Sequence, residues 1–398
     1  MTRHLFVLTI AVISIAAKVY SQPSGNKAIT ILQKVNDKLN SSSKISYQYT
    51  HETRYYGDNY HYLRDASLYI EYTSDNPVGL RFQGSETGFQ QVFNGFMFMN
   101  ISLKNMTIDT TPVRSAAKLD NNSYMYNSLA MLRNILPEVI KNDSFRTSLS
   151  DTSLNGQQLY CVKIEKPSTY FGLFRGTSRV GVADLQRPYY LLVDKKTFLP
   201  YQFIAKYIRG NDDRDFVTVT YKNINLHPSS PGNASWQYAA YTAQYKPYVP
   251  APKIPLVAAG TTVADFTLPS YTSAAITDIS LHQYAGKVIL LDFWFKSCGP
   301  CMQAIPHYNI LQQKFNNDQF QLITVNVADS VDDIKFFYNK FSPVYPMLFN
   351  GQKLFESLGF TGCPSSALLD KNGKVVQTFA GFDAAVIEKK IAEVIAQK

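Results

Sequence analysis

The stretch that most restricts what this chain can fold into is residues 288–306, VILLDFWFKSCGPCMQAIP. It opens with the apolar run Val288-Ile289-Leu290-Leu291, which reads as a strand buried on both faces. Past Cys298-Gly299-Pro300-Cys301 the spacing of apolar residues becomes helical. The segment is therefore a strand, a tight turn and a helix start that carries two thiols. The first N–H groups of a helix have no internal partners, and the helix dipole is positive there. A thiolate at that point is stabilised, and the thiolate is the species that attacks disulfides. Pro300 suits the first helical turn, where its missing N–H costs nothing. The spacing lets Cys301 reach back and close a small-ring disulfide with Cys298.

More than the cysteine pair marks this region. Asp292 precedes Cys298 on the strand, Pro306 follows Cys301 on the helix, and TGCPSSALLDKNGKVV spans 361–376. Upstream lie ADFTL at 264–268 and ISLHQYAGKVILLDFW at 279–294. In this order the features resemble the TlpA/ResA-like disulfide reductases, the envelope branch of the thioredoxin superfamily, over residues 257–398. The resemblance implies an α/β thioredoxin fold with a mixed central sheet. It implies Cys298 as nucleophile, Cys301 as the resolving thiol and Asp292 as the acid that takes the Cys301 proton. Pro364 would be cis and would set the backbone of Cys363 beside Cys298 for substrate binding, with Trp294 at that surface or packed beneath it. Three positions depart from the family pattern. Ala304 stands where the branch usually carries a glutamate. Ser297 stands where a tryptophan often precedes the first cysteine. Cys363 stands where a small apolar or β-branched residue is usual, and is either a buried filler or a third thiol able to trap Cys298 or help hold a soft metal. No cofactor is implied. A zinc site would need two further soft ligands, and no second CxxC or histidine pair follows.

At 398 residues the chain is long for one domain, and two are expected. The net charge of +9 is uneven: residues 257–398 hold 11 lysines, no arginine and 12 acidic residues, which leaves the positive excess on residues 1–256. That basic half reads as a solvated face or as a surface for a membrane or acidic partner. Its basic residues are scattered and form no nucleic-acid-binding signature, so nucleic acid is excluded as a partner. Residues 1–21, with Arg3 and His4 before an apolar core, read as a signal peptide cut before Gln22. No cysteine lies at the cut to carry a lipid anchor, so the expected location is the periplasm or cell envelope, with no other membrane span.

Residues 22–244 read as a different kind of domain. Ala28, Leu32, Val35 and Leu39 fall at helical spacing, then alternation takes over in YQYTHETRYY, SLYIEYT and GLRFQG. Asn94-Gly95 separates QVF from FMFMNI, a strong hairpin signal. Residues 121–141 form a helical interlude that contains Pro137, and alternation then resumes through QQLYCVKIEK and three further long strands. Tyrosine is concentrated here, with 21 of the chain's 27 between residues 22 and 250; it suits half-buried strands with a wet edge. The pattern resembles the LolA/LolB-like lipoprotein carriers over about residues 26–228. That implies a curved antiparallel α+β half-barrel, enclosing either an ordinary aromatic core or a cavity for a lipid or lipoprotein. Residues 245–256 hold Pro247, Pro250, Pro252 and Pro255 and read as a stiff linker, with the thioredoxin-like domain at 257–398.

Two functions follow as expectations. The first is an exported thiol–disulfide oxidoreductase that reduces disulfide-containing envelope proteins and is recharged by a membrane electron donor. The second is a lipid or lipoprotein carrier with an accessory thioredoxin domain. A peroxidase of the peroxiredoxin type wants an arginine beside its cysteine, and residues 257–398 have none. A copper chaperone of the Sco kind wants CxxxC and a downstream histidine, and no histidine follows His307.

Overall fold

The computed structural model describes residues 25–397, except 168, 175, 180–184, 251, 273–274 and 316–317. The leader expected at residues 1–21 lies outside the described residues. Among them, no helix is long and apolar enough to cross a membrane.

The N-terminal half is one antiparallel sheet backed by two helices. Helix α1 is Gly25–Asn40. Strands β1 (Lys44–Tyr55), β2 (Tyr60–Tyr72), β3 (Leu80–Glu86), β4 (Phe89–Phe93), β5 (Met97–Ser102) and β6 (Thr107–Pro112) follow as a meander. Helix α2 (Leu129–Lys141) is capped by Ser128, whose hydroxyl accepts from the Met131 N–H, and it carries Pro137 inside. Then come β7 (Arg146–Leu154), β8 (Gln157–Glu165), the short β9 (Thr169–Gly172), β10 (Gly176–Arg179) and β11 (Leu185–Gln186), and the long β12 (Tyr189–Asp194), β13 (Pro200–Arg209) and β14 (Asp212–Asn225). Strand β14 pairs with β1, joining the two meanders into one sheet ordered β6-β5-β4-β3-β2-β1-β14-β13-β12-β8-β7.

Alternation decides which face is inside. Along β1, Ile45, Tyr47, Tyr49, His51 and Thr53 are buried while the residues between them are not. This face packs on Leu32 and Val35 of α1 and Leu132 and Ile135 of α2. Phe98 of β5 and Val162 of β8 belong to that same core. They sit eight strand spacings apart, roughly 40 Å on a flat sheet, so the sheet must curl around its helices. It does not close into a barrel, since β7 pairs only with β8. The concave side carries packed side chains, including the stack of Phe171 on Tyr189 at 4.0 Å.

The segment expected to be a stiff linker is partly structural. Lys246–Pro247 forms β15, which adds in parallel to the outer edge of β6. Proline is tolerated there because an edge strand needs hydrogen bonds on one side only. Just before it, Trp236 and Tyr245 cover the opposite face of the sheet at Val92, Met99 and Ile101. Just after it, Pro255 crosses so close to Gly359 that a Cβ there would collide with the Pro255 carbonyl. The Val257 N–H then donates to the Leu358 oxygen at 2.9 Å.

The C-terminal part is a second, mixed sheet in the order β17-β16-β20-β19-β18-β21-β22. Its members are β16 (Thr267–Tyr271), β17 (Ile276–Ser280), β18 (Val288–Trp294), β19 (Phe320–Asn326), β20 (Met347–Leu348), β21 (Ser365–Leu369) and β22 (Val375–Ala380). Strands β18, β19 and β20 run parallel, and β21 returns antiparallel to β18. Helices α3 (Gly299–Lys314), α4 (Val331–Phe341), α5 (Gln352–Ser357) and α6 (Ala384–Ala396) accompany it. Two separate apolar cores lie on the two faces, one holding Leu290, Ile305, Phe337 and Ile391, the other Leu291, Phe293, Phe355 and Phe360. Being covered on both sides makes all seven residues of β18 buried, as the unbroken apolar run requires. The turn between β1 and β2 touches this half: Asn59 Nδ2 donates to Asp333 Oδ1 at 2.9 Å, and Lys340 Nζ to the Gly57 oxygen at 2.6 Å.

Candidate active site: a dithiol at a helix start over a buried acid

Strand β18 ends at Trp294, and four residues later Cys298 is the N-cap of α3. The chain is in the β region at Cys298 and turns helical at Gly299-Pro300. Cys298 and Cys301 are joined as a disulfide, their Cα atoms 5.2 Å apart. The Cys301 N–H donates to Cys298 Sγ at 3.2 Å. That sulfur thus occupies the position where a capping oxygen usually accepts the helix's orphan N–H groups. In the reduced protein the same N–H and the helix dipole stabilise a thiolate there. Cys298 keeps 5% of its surface exposed and Cys301 only 1%, which makes Cys298 the outward sulfur. Ser297, Gly299 and Pro300 around it are exposed.

The loop into the site is pinned by polar contacts. The Lys296 N–H donates to Asp329 Oδ2 at 2.6 Å, and Lys296 Nζ pairs with Asp333 Oδ2 at 2.8 Å. Asp333 also closes the capping box of α4 with Ser330, so the residue two before Cys298 is tied to the start of a second helix.

Asp292 sits in the middle of the sheet, opposite Thr324 of β19 and Ser366 of β21. It is 2% exposed, and its Oδ2 has no hydrogen-bond partner. Burial favours the neutral acid and pushes its pKa up to about 8; the Tyr308 hydroxyl opposes this and lowers it. Tyr308 is close enough to act on the acid, yet neither its hydroxyl nor Asp292 Oδ2 makes a hydrogen bond of ordinary geometry. An acid with a pKa near neutrality can exchange a proton at physiological pH, which an ordinary aspartate cannot.

The Cys363–Pro364 peptide bond is cis. Cys363 is a free, half-buried thiol packed against the cluster that holds Cys298 and Cys301. Burial, and then the charge of Asp292, push its thiol up to about 12. It is therefore protonated at neutral pH and a poor nucleophile. Trp294, expected among the substrate-binding residues, is corrected: it is fully buried and packs edge-on against Phe337 at 5.5 Å. A strand covered on both faces has no side chain free to meet a substrate, so Trp294 supports the site from below. Cys161 is a buried strand residue of the other half, packed with Leu159 and Leu192. His307 is on the exposed side of α3. No cluster of three metal-ligating side chains occurs among the described residues.

Two residues that reading the sequence passed over stand against Asp292. Tyr308 lies on the buried stripe of α3 with Cys301, Ala304 and Ile305, and Tyr345 packs edge-on against it at 6.1 Å. The helical offset of Tyr308 from Cys301 is the signal that could have found the first. Nothing local marks Tyr345, which arrives from the loop before β20.

The family model for Redoxin matches residues 258–395. The thiol-disulfide oxidoreductase ResA of Geobacillus thermodenitrificans is 29% identical over 126 residues, which is 31% of this chain and 71% of the relative. ResA of Bacillus thuringiensis strain Al Hakam is 32% identical over 104 residues, 26% of this chain and 60% of the relative. The chain thus spans between 60% and 71% of the length of these curated relatives. Among solved structures, the pneumococcal exposed lipoprotein thioredoxin Etrx1 of Streptococcus pneumoniae strain TIGR4 is 29% identical, with 33% of this chain and 99% of that chain covered and a TM-score of 0.30. The disulfide, the helix start and the buried acid lie within residues 258–395, which the family model matches. The C-terminal region is accordingly a Redoxin domain, similar to the thiol-disulfide oxidoreductases of the ResA kind.

Proposed function

We propose that this protein is exported and reduces disulfide bonds in proteins of the cell envelope. The observation that carries the reading is the Cys298–Cys301 disulfide closed across the first turn of α3, with the outer sulfur taking a backbone N–H of that helix. Cys298, as thiolate, attacks a substrate disulfide and forms a mixed disulfide while the substrate's other sulfur leaves. Cys301 then gives its proton to Asp292 and attacks Cys298, releasing the substrate reduced and leaving the Cys298–Cys301 bond seen here. The cis segment at Cys363–Pro364 supplies backbone for an extended substrate strand beside Cys298. Recharging in an oxidising compartment needs a membrane electron donor. Gly299-Pro300 between the cysteines supports the reductive direction.

In this reading residues 1–21 are the leader, 22–244 the sheet domain, 245–256 the connection and 257–398 the catalytic domain. The curled sheet over α1 and α2 supports a LolA-like half-barrel that holds an aromatic core. The aromatic packing on its concave side supports this reading over a lipid-carrying one. A Cys301→Ser variant tests the function: it should retain an envelope protein on Cys298 as a mixed disulfide that reductant releases. Recovery of no such adduct, with insulin disulfides reduced equally by the Cys298→Ser variant, overturns it.

A further inference from the structure

The buried side of α3 is nearly apolar. Cys301, Ala304, Ile305 and Tyr308 recur on one stripe, all buried, and Tyr308 brings the only hydroxyl among them. That hydroxyl has no hydrogen-bond partner, and neither do Asp292 Oδ2, the Tyr345 hydroxyl or Ser366 Oγ. Ser366 sits directly across from Asp292 on the neighbouring strand. Tyr308 is 1% exposed and Tyr345 5%, and their rings meet edge-on at 6.1 Å. Phe382 closes on Tyr308 from the other side at 5.1 Å. Leaving a buried polar atom unpaired costs stability, and such atoms are uncommon enough that each asks for an explanation. Here several fall around one acid, on the strand that leads into the disulfide turn and the helix that follows it.

We propose that Tyr308 is the positioning residue of the resolving step: its hydroxyl is the donor that receives the Asp292 carboxylate whenever that acid ionises to accept the Cys301 proton. The inference rests on the reading of Asp292 as that acceptor. In the disulfide form Asp292 is neutral and has no need of a donor, which accounts for the unpaired hydroxyl. When the disulfide is reduced and Asp292 ionises, a carboxylate in this dry interior needs an N–H or O–H partner. Thr324 Oγ1 already donates to the Pro346 oxygen, Ala304 has no donor, and the aliphatic Ser366 hydroxyl is a less acidic donor than a phenol. The groups that titrate around Asp292 are Cys301 and Tyr308 from α3, Tyr345 from the loop before β20 and Cys363 from the cis segment. None of them is a cation, so the carboxylate has no ion-pair partner and depends on a hydroxyl. The two groups also act on each other in opposite senses, Tyr308 lowering the acid and Asp292 raising the phenol. Ring packing by Tyr345 and Phe382 holds the phenol in place, so its hydroxyl is preorganised.

The test uses the full chain, reduced and mixed with one equivalent of a chromogenic aromatic disulfide. Cys298 attacks it and releases the first aromatic thiolate. Cys301 then attacks Cys298, its proton passes to Asp292, and the second aromatic thiolate leaves as the Cys298–Cys301 bond forms. The first release reports Cys298 and the second reports the resolving step. The pH midpoint of the second release belongs to the Asp292–Cys301 pair. In Tyr308→Phe that midpoint should rise by about one pH unit, because a carboxylate without its donor ionises less readily; the first release should keep its rate. A fluorinated tyrosine at 308, similar in size and a stronger donor, should move the midpoint down. If neither change moves it while Asp292→Asn does, Tyr308 only packs and the proposal is overturned. If Asp292→Asn leaves it in place as well, the acceptor is not Asp292, and that earlier reading falls together with this one. The fluorinated protein keeps the test decisive should the phenylalanine variant fail to fold.

Discussion

The paired arginines of the N-terminal sheet and Asp292 of the C-terminal domain treat buried charge in opposite ways. In the N-terminal sheet, ionised groups that leave water find partners. Arg64 is 6% exposed, and its Nη2 donates to Glu86 at 3.0 Å while the guanidinium lies over the Tyr124 ring. Arg81 pairs with Glu71 at 2.9 Å and stacks on Trp236. Arg187 donates to the hydroxyls of Tyr126 and Tyr207. In the C-terminal domain, Asp292 is buried as deeply, and its Oδ2 has no hydrogen-bond partner. The consequences run in opposite directions. Arg81 and two hydroxyls outweigh burial at Glu71 and hold that acid below its ordinary range, whereas burial alone drives Asp292 up to about 8. A satisfied buried charge contributes to one well-defined fold; an unsatisfied one is held ready to change its protonation state.

The largest test of this contrast is chemical. Cys298→Ser should abolish insulin-disulfide reduction, by at least about a hundredfold, because no other described thiol combines a helix start with exposure. The same variant should unfold at the temperature of a Cys301→Ser control, since each lacks the one disulfide.

Next in size is a change confined to the other half. Phe82→Ala removes a fully buried ring that packs on Phe93 and Tyr124, and should cost about 3–5 kcal/mol by denaturant titration. The alkylation rate of Cys298 under native conditions should not change. A parallel loss of thiol reactivity would show that the sheet's stability and the site are not separable.

Asp292→Asn should remove a pH dependence. The acid's folded pKa is raised above its unfolded value, so the native state holds a proton that the unfolded chain releases between about pH 4 and pH 8. Stability from this group is fully present below about pH 4 and declines as pH rises toward about 8. The asparagine variant should lose that slope and exceed the parent at pH 8 by on the order of 2–5 kcal/mol. Equal slopes in the two proteins would mean that the acid is not desolvated.

The smallest effect has the opposite sign. Glu71 has its pKa lowered by Arg81 and by the Tyr69 hydroxyl, so its contribution is present above its unfolded pKa and fades as pH falls through the folded value. Arg81→Ala should cost about 1 kcal/mol at pH 7, and the difference should shrink below about pH 4. Thermal unfolding at the two pH values reads it directly.

Reading the sequence was most reliable where a residue's role depends on its neighbours in the chain. The apolar run at 288–291, the thiols at 298 and 301 and the proline at 300 state a strand, a turn and a helix start, and these appear as β18 and the first turn of α3. The alternation at 157–165 carries over in the same way. It was weaker for β6 and β7, whose polar faces (TIDTTP and RTSLSDTSL) offer little apolar alternation. Such strands are held by the ladder beside them. It left open whether Trp294 meets the surface or lies beneath it, and it did not foresee the edge pairing of residues 246–247, because surface position is a property of what packs above.

The covalent pattern alone thus determined that two cysteines would share a helix N-terminus, since that geometry is set within about twenty residues of chain. Only the tertiary structure decided what the acid at 292 is worth. Its proton affinity follows from residues on α3, on β21 and in the loop before β20, which meet around it only when the sheet is assembled. Desolvation and the approach of distant hydroxyls act through space, and the order of residues along a chain does not record them.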